Sequence, residues 1–255
     1  MNLQGHTAFV TGSGRNIGRA IVLAFAREGA NVVVNARSNQ GEVDAVVREA
    51  NELGAEAIGT LADVSDPDQV RAMVDKALTA FGTVDIVVNN AAVRPHVPFT
   101  ELDYDQWRRV TGVDLDGAFL CCQAFVPGMI QRGWGRIINV AGMMAFEGRS
   151  GYSHISAAKM GLVGFTRSLA VELAPHNVLV NCVSPGTIDT INPNADPNMD
   201  ASQREATAAA RIQRVPLNRL GSPDEIASVC VFLASPGAGY ISGQTIHVNG
   251  AADRR

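Results

Sequence analysis

Short runs of β-branched and aliphatic residues alternate along this chain with longer segments in which apolar positions recur every three or four residues. Runs of the first kind predict strands at His6–Thr11, Asn31–Ala36, Glu56–Leu61, Val84–Asn89, Arg136–Ala141, Val178–Val183 and Thr245–Val248. Segments of the second kind predict helices at roughly Ile17–Glu28, Glu42–Leu53, Pro67–Phe81, Tyr104–Gln131, Ser153–Leu173 and Pro223–Leu233. Strand and helix in alternation build a parallel sheet covered on both faces, so the expected fold is α/β, a doubly wound seven-stranded parallel sheet with helices on both sides. One stretch breaks the rhythm. Pro185 to about Arg211 carries Pro193, Pro197 and several Asn and Asp residues before the alanine-rich run SQREATAAARI. A long insertion at the carboxyl end of a strand is where such folds place a cover over a ligand; a surface excursion without function is the alternative.

Composition narrows the function classes. The 255 residues carry 21 basic and 25 acidic side chains, a net charge of −4, which leaves no broad basic field for nucleic acid or an anionic membrane and makes a small-molecule substrate the default. The opening MNLQGHTAFVTG lacks the charged and apolar regions of a secretory signal, and no window approaches the roughly 20 apolar residues of a membrane span, so a cytoplasmic protein is expected. Cys121, Cys122, Cys182 and Cys230 form neither a CxxC nor a zinc-type spacing; they read as reduced core thiols, and no metal site is expected.

The first strand ends in TGSGRNIG, residues 11–18, and runs straight into a helix. A glycine-rich turn there lets backbone N–H groups and the helix dipole approach a pyrophosphate. Asp63 and Val64 follow the third strand, and NNAA, residues 89–92, follows the fourth, so three loops converge on one crevice. The end of the second strand, where an NAD-binding chain usually places an acid for the ribose hydroxyls, reads Asn35-Ala36-Arg37. Arg37 and Arg15 together suit a 2′-phosphate, which an Asp would repel, so NADP(H) is expected over NAD(H). Two solvated surface arginines are the plainer alternative.

These motifs resemble those of the short-chain dehydrogenase/reductase family, in particular its 3-oxoacyl reductase-like members, from about Gly5 to Ala251. TGSGRNIG is similar to the family's TGxxxGxG, NNAA to its NNAG, SPGTIDT (residues 184–190) to its PG loop ending in Thr, and VPLNRLGSPDEIASVCVFLAS with ISGQTIHVNGA to its closing helix and strand. The resemblance implies a Rossmann-like, single dinucleotide-binding domain over 1–255 with a substrate-loop insertion at about 186–212. It implies a cofactor held by Gly12, Arg15, Ile17, Gly18, Arg37, Asp63, Val64, Asn90, Ala91, Lys159, Pro185, Gly186, Ile188 and Thr190. It also implies a homo-oligomer, a tetramer or dimer built partly on the two long helices.

Departures from the family pattern bear on the chemistry. Members carry Asn, Ser, Tyr and Lys, the last two spaced YxxxK; a gap-free match of SAAKMGL keeps Lys159 and puts Ile155 at the tyrosine, Gly142 at the serine and Asp114 at the asparagine. Asn16 replaces the turn's middle glycine and Ala92 the last residue of NNAG. The catalytic tetrad is therefore degenerate, because Ile155 can neither donate a proton nor polarise a carbonyl. Tyr152 shares the Lys159 helix face but lies about 4.5 Å farther along the axis than Ile155. His154 has a suitable intrinsic pKa and sits about 100° around the helix from Ile155. Asp114 is able to pair with Lys159 and relay a proton through water; compensating the lysine and capping a bend in the long helix is its structural alternative. Lys159 reads first as a ribose-binding residue. Gly142 and Ile155 are expected to open an apolar space at the nicotinamide face. Arg94, His96, Glu147, Arg149 and Asp189 read as solvated loop residues. The function expected is an NADP(H)-dependent carbonyl or alcohol oxidoreductase with an altered proton path. A nucleotide-binding pseudoenzyme and a non-redox acid/base catalyst are the alternatives.

Overall fold

The computed structural model describes residues 3–190 and 201–253. Seven parallel strands, β1 (Thr7–Val10), β2 (Asn31–Ala36), β3 (Ala57–Leu61), β4 (Ile86–Asn89), β5 (Gly135–Val140), β6 (Val178–Pro185) and β7 (Thr245–Val248), form one sheet in the order β3-β2-β1-β4-β5-β6-β7. The order reverses between β1 and β4, which opens the crevice at the carboxyl ends where doubly wound sheets bind ligands.

Alternation along each strand builds the two halves of the core. Ala8, Val10, Val32, Val34, Ile86, Val88, Ile138 and Val140 face one layer of helices, α1 (Asn16–Arg27), α2 (Gln40–Glu52) and α9 (Pro223–Ala234). The residues between them, Phe9, Val33, Val87 and Ile137, face the other layer: α3 (Pro67–Phe81), α5 (Gly117–Arg132) and α7 (Ser153–Leu173). Because both faces are covered, each strand reads as a continuous apolar run rather than an alternating one. Burying each such side chain contributes about 1.5–3 kcal/mol.

Helix starts follow their capping chemistry. Asn39 accepts the Glu42 N–H at 3.1 Å to begin α2, Asp66 accepts from Asp68 and Gln69 ahead of Pro67 in α3, and Ser222 with Glu225 forms a capping box on α9. The expected helix Tyr104–Gln131 is one run with an interruption: α4 (Tyr104–Thr111) passes through a π-helical turn at Gly112–Asp116 into α5. Contrary to the sequence expectation, an 18-residue window of Tyr104–Arg132 reaches a mean hydropathy of 1.3, apolar and long enough by composition to cross a membrane. The run is this apolar because Cys121, Cys122, Phe125 and Met129 pack into the core while Phe119 lies on the outside. A short helix α6 (Met144–Glu147) precedes α7, and the alanine-rich run forms α8 (Ala201–Ile212). Pro193 and Pro197 of the insertion fall outside the described residues.

Candidate active site

The turn from β1 into α1 is held from both sides. On the β2 side, the Gly12 N–H donates to Asn35 Oδ1 at 3.1 Å, and Ser13 Oγ donates to the Val10 carbonyl at 2.7 Å while accepting the Asn35 N–H at 3.0 Å. Asn35 is buried, and its Nδ2 reaches the Ala62 carbonyl at 3.2 Å, so one amide ties the turn to β3 as well. On the β4 side, Asn90 Nδ2 donates to the carbonyls of Thr11 and Gly12, both at 3.0 Å, and the N–H groups of Asn90 and Ala91 donate to Thr11 Oγ1, also at 3.0 Å.

This close approach explains the glycines. Gly12 has φ +60°, and a Cβ there would lie 2.8 Å from Ala91 Cα; at Gly18 it would lie 2.6 Å from Asn90 Nδ2. Asn16 takes φ +51°, a region that asparagine tolerates, which is how it substitutes for the expected glycine. The first turn of α1 carries no acid, and the Arg15 side chain does not cap it, so no side chain within that turn offsets the positive end of the helix. That donor set fits a dinucleotide pyrophosphate. Ile17 packs half-buried against the core.

The other expected nucleotide residues line the same edge. Asp63 turns its carboxylate on Ser65, accepting the N–H at 3.0 Å and the hydroxyl at 2.6 Å, and so shapes the entry to α3. Val64 is buried against Gly117, where a Cβ would fall 2.8 Å from Val64 Cγ2. Arg37 is exposed just past Ala36. Beyond β6, Gly186 donates to the Val248 carbonyl at 2.9 Å, with Pro185 and Ile188 buried and Thr190 half-buried beside it. Sequence reading missed one residue here, Glu42, whose carboxylate lies 3.8 Å from Arg15 Nη1. Its signal was an Asn followed three residues later by Glu, which sets that acid in the first turn of α2.

Lys159 and Asp114 meet as expected. The ammonium of Lys159 donates to the Val140 carbonyl at 2.9 Å and stands 3.4 Å from Asp114 Oδ2, both side chains being buried. Asp114 lies in the middle of the π-helical turn, a distortion found often at functional sites. Its Oδ1 accepts the Val93 N–H at 2.8 Å, which links the loop after β4 to this pair, while Oδ2 makes an ionic contact without hydrogen-bond geometry. Burial pushes the Asp114 carboxyl above the usual carboxylate range, against the opposing pull of Lys159 and the Val93 N–H.

His154 is fully buried, and neither ring nitrogen makes a hydrogen bond. Burial holds its imidazole below the ordinary value, although the Pro95 carbonyl and Asp114 favour the charged form. Tyr152 precedes the first residue of α7. Its ring meets His96 edge-on at 5.1 Å, Arg149 lies over it at 5.2 Å, and its body packs against the Ile155 cluster, a rim position.

The structure corrects the expectation of an apolar opening at 142 and 155. A Cβ on Gly142 would indeed meet nothing within 4 Å. Ile155, however, has no exposed surface; it packs with Val110 and Ala158, and with Val93, Leu115, Met144 and Tyr152 around them. A branched aliphatic side chain gains by joining such a cluster, so it closes the space instead of lining it. Among the described residues no group of three or more His, Cys, Asp or Glu is placed to hold a metal ion.

Sheet order, the switch-point crevice and the glycine turn define a Rossmann-type nucleotide-binding α/β protein. Residues 12–251 match the family model described as Enoyl-(Acyl carrier protein) reductase. The chain is 39% identical over 251 residues to the 3-oxoacyl-(acyl-carrier-protein) reductase FabG of Aquifex aeolicus and 40% identical over 250 residues to that of Vibrio cholerae serotype O1, covering 98% of both chains in each case. It superposes on acetoin dehydrogenase YohF of Salmonella typhimurium with a TM-score of 0.86 at 34% identity, covering 96% of this chain and 94% of that one. The chain belongs to the short-chain dehydrogenase/reductase family.

Proposed function

We propose that this protein is an NADP(H)-dependent oxidoreductase of a carbonyl or alcohol substrate, cytoplasmic and homo-oligomeric, in which Asp114, Lys159 and water replace the usual phenolic proton path. The observation that carries the reading is the Asn90-braced glycine turn, joined through Val93 to the buried Asp114–Lys159 pair. Relatives named as reductases and dehydrogenases support the redox assignment. Gly12, Ile17, Gly18, Ala91 and the α1 N-terminus would hold the pyrophosphate, Asp63, Val64 and Asn90 the adenosine side, Arg15 and Arg37 a 2′-phosphate, and Pro185, Gly186, Ile188 and Thr190 the far end.

Held by these residues, a nicotinamide cofactor would supply a hydride for the carbonyl carbon. The oxygen then requires a proton. Asp114, kept protonated more readily by burial, supplies it through water, and the adjacent ammonium of Lys159 stabilises the carboxylate left behind. His154 is held neutral beside this pair, and Tyr152 shapes the rim. Oligomer formation is supported by the exposed apolar side chains Phe119 on α5 and Met160 and Val171 on α7.

A second reading, nucleotide binding without a redox step, is favoured by one observation: Ile155 is sealed inside its cluster, and Gly142 offers no hydroxyl. Titration with NADPH followed by a screen of ketones and alcohols separates the two. Binding with turnover supports the oxidoreductase, tight binding without turnover supports the second reading, and no binding removes both.

A further inference from the structure

The acid absent from the end of β2 is supplied from elsewhere. Glu42 lies in the first turn of α2, where the helix dipole favours a carboxylate and where Asn39 fixes the backbone by accepting its N–H. From there the side chain reaches back over the glycine turn. A Cβ on Gly14 would lie 3.1 Å from Glu42 Cβ, 3.2 Å from Glu42 Oε2 and 3.5 Å from Ala36 Cβ. Gly14 thus leaves room for this carboxylate, which a side chain at that position would crowd. Glu42 Oε1 also stands 3.8 Å from Arg15 Nη1, with both side chains partly exposed.

We propose that Glu42 sets the cofactor discrimination of this chain, by holding Arg15 and placing a negative charge beside the guanidinium that would take a 2′-phosphate. The inference rests on the nucleotide reading above and goes beyond it by assigning an opposing residue. Arg15 and Arg37 attract a 2′-phosphate, whereas Glu42 repels it and must release Arg15 before the guanidinium can turn to the ligand. A 2′-hydroxyl brings no charge and leaves the Arg15–Glu42 contact in place. NADPH binding therefore carries a penalty that NADH binding does not.

Equilibrium titration of NADPH and NADH into the wild type, Glu42→Gln, Arg15→Ala and the double variant tests this, with thermal melts confirming that each is folded. Glu42→Gln is expected to tighten NADPH about tenfold and leave NADH within about twofold, as removal of one nearby like charge predicts. The gain shrinks in the Arg15→Ala background, because part of it comes from freeing that guanidinium. An unchanged NADPH to NADH affinity ratio in Glu42→Gln overturns the inference while leaving the nucleotide reading intact. Equal tightening of both nucleotides overturns it as well, and a wild type that binds neither nucleotide overturns inference and reading together.

Discussion

Placing Tyr at Ile155 and Ser at Gly142 tests whether the scaffold still presents a hydride to a bound carbonyl. The two substitutions face different surroundings. At Gly142 an added Cβ meets nothing within 4 Å, so the serine hydroxyl enters open space, but the backbone there has φ +157°, which L residues rarely adopt, so the substitution carries backbone strain. At Ile155 the new ring must enter a cluster with no exposed surface, bounded by Val110, Ala158, Met144 and Tyr152. Overpacking of that kind costs about 1–3 kcal/mol, a tolerable loss for a fold with two large sheet-flanking cores. The chemical gain is larger. A positioned acid contributes about 10²–10⁴-fold and an oxyanion-type donor about 10²–10³-fold, and because the two act together the product overstates the sum of their effects. The double variant is expected to reduce ketones at least about 10²-fold faster than the wild type, read from loss of nicotinamide absorbance, with a lower denaturation midpoint. A folded double variant that binds NADPH as the wild type does, yet reduces no ketone faster, would refute the idea that the missing hydroxyls limit turnover.

Asp114 carries the pH prediction. Its folded-state pKa is raised above the unfolded value of 3.8 by burial, so its contribution to stability is fully present below 3.8 and is lost as pH rises through the folded value. Asp114→Asn keeps an acceptor for the Val93 N–H and removes the titration; its stability relative to wild type should rise with pH in guanidinium unfolding series, and parallel curves would exclude the proposed burial effect. Asn90→Ala removes two hydrogen bonds to the carbonyls of the glycine turn and should cost about 1–3 kcal/mol and weaken NADPH binding, measured by denaturation and titration. Val171→Asp puts a charge on an exposed apolar site of α7 and should shift a homo-oligomer toward smaller species in light scattering; an unchanged mass would show that this face is not in the interface.

Most of the architecture was legible because strands buried on both faces write themselves as unbroken apolar runs. Val32, Val33 and Val34 show why: adjacent residues enter opposite cores, and all three must be apolar. Strand ends were placed a residue or so too far at His6 and Thr11, since apolar pattern does not mark where ladder pairing stops. The π-helical turn at Gly112–Asp116 was not visible, because a helical period survives the one extra residue in the turn. At the site, gap-free spacing brought Lys159 and Asp114 together correctly. It could not say whether Ile155 lines a space or fills one, for that depends on Val110 and Met144, distant in sequence. Glu42 escaped for a similar reason: its approach to Arg15 depends on how α2 returns over the glycine turn.

Asp114, Gly142 and Ile155 stand outside the two main cores. Val110, Ile155 and Ala158 form a small cluster of their own, beside the sheet-flanking layers that carry most of the apolar burial. Asp at 114 retains the one bond the loop after β4 requires, since its Oδ1 accepts the Val93 N–H as an amide oxygen would. Its second oxygen then becomes a negative neighbour for Lys159 at 3.4 Å, where an amide would have presented none. With a hydrocarbon at Ile155, one helical turn ahead of Lys159, a buried ammonium left with the Val140 carbonyl alone would be poorly compensated. The carboxylate therefore offsets the buried charge of Lys159, while burial pulls the other way, toward the protonated form that the proposed proton path needs.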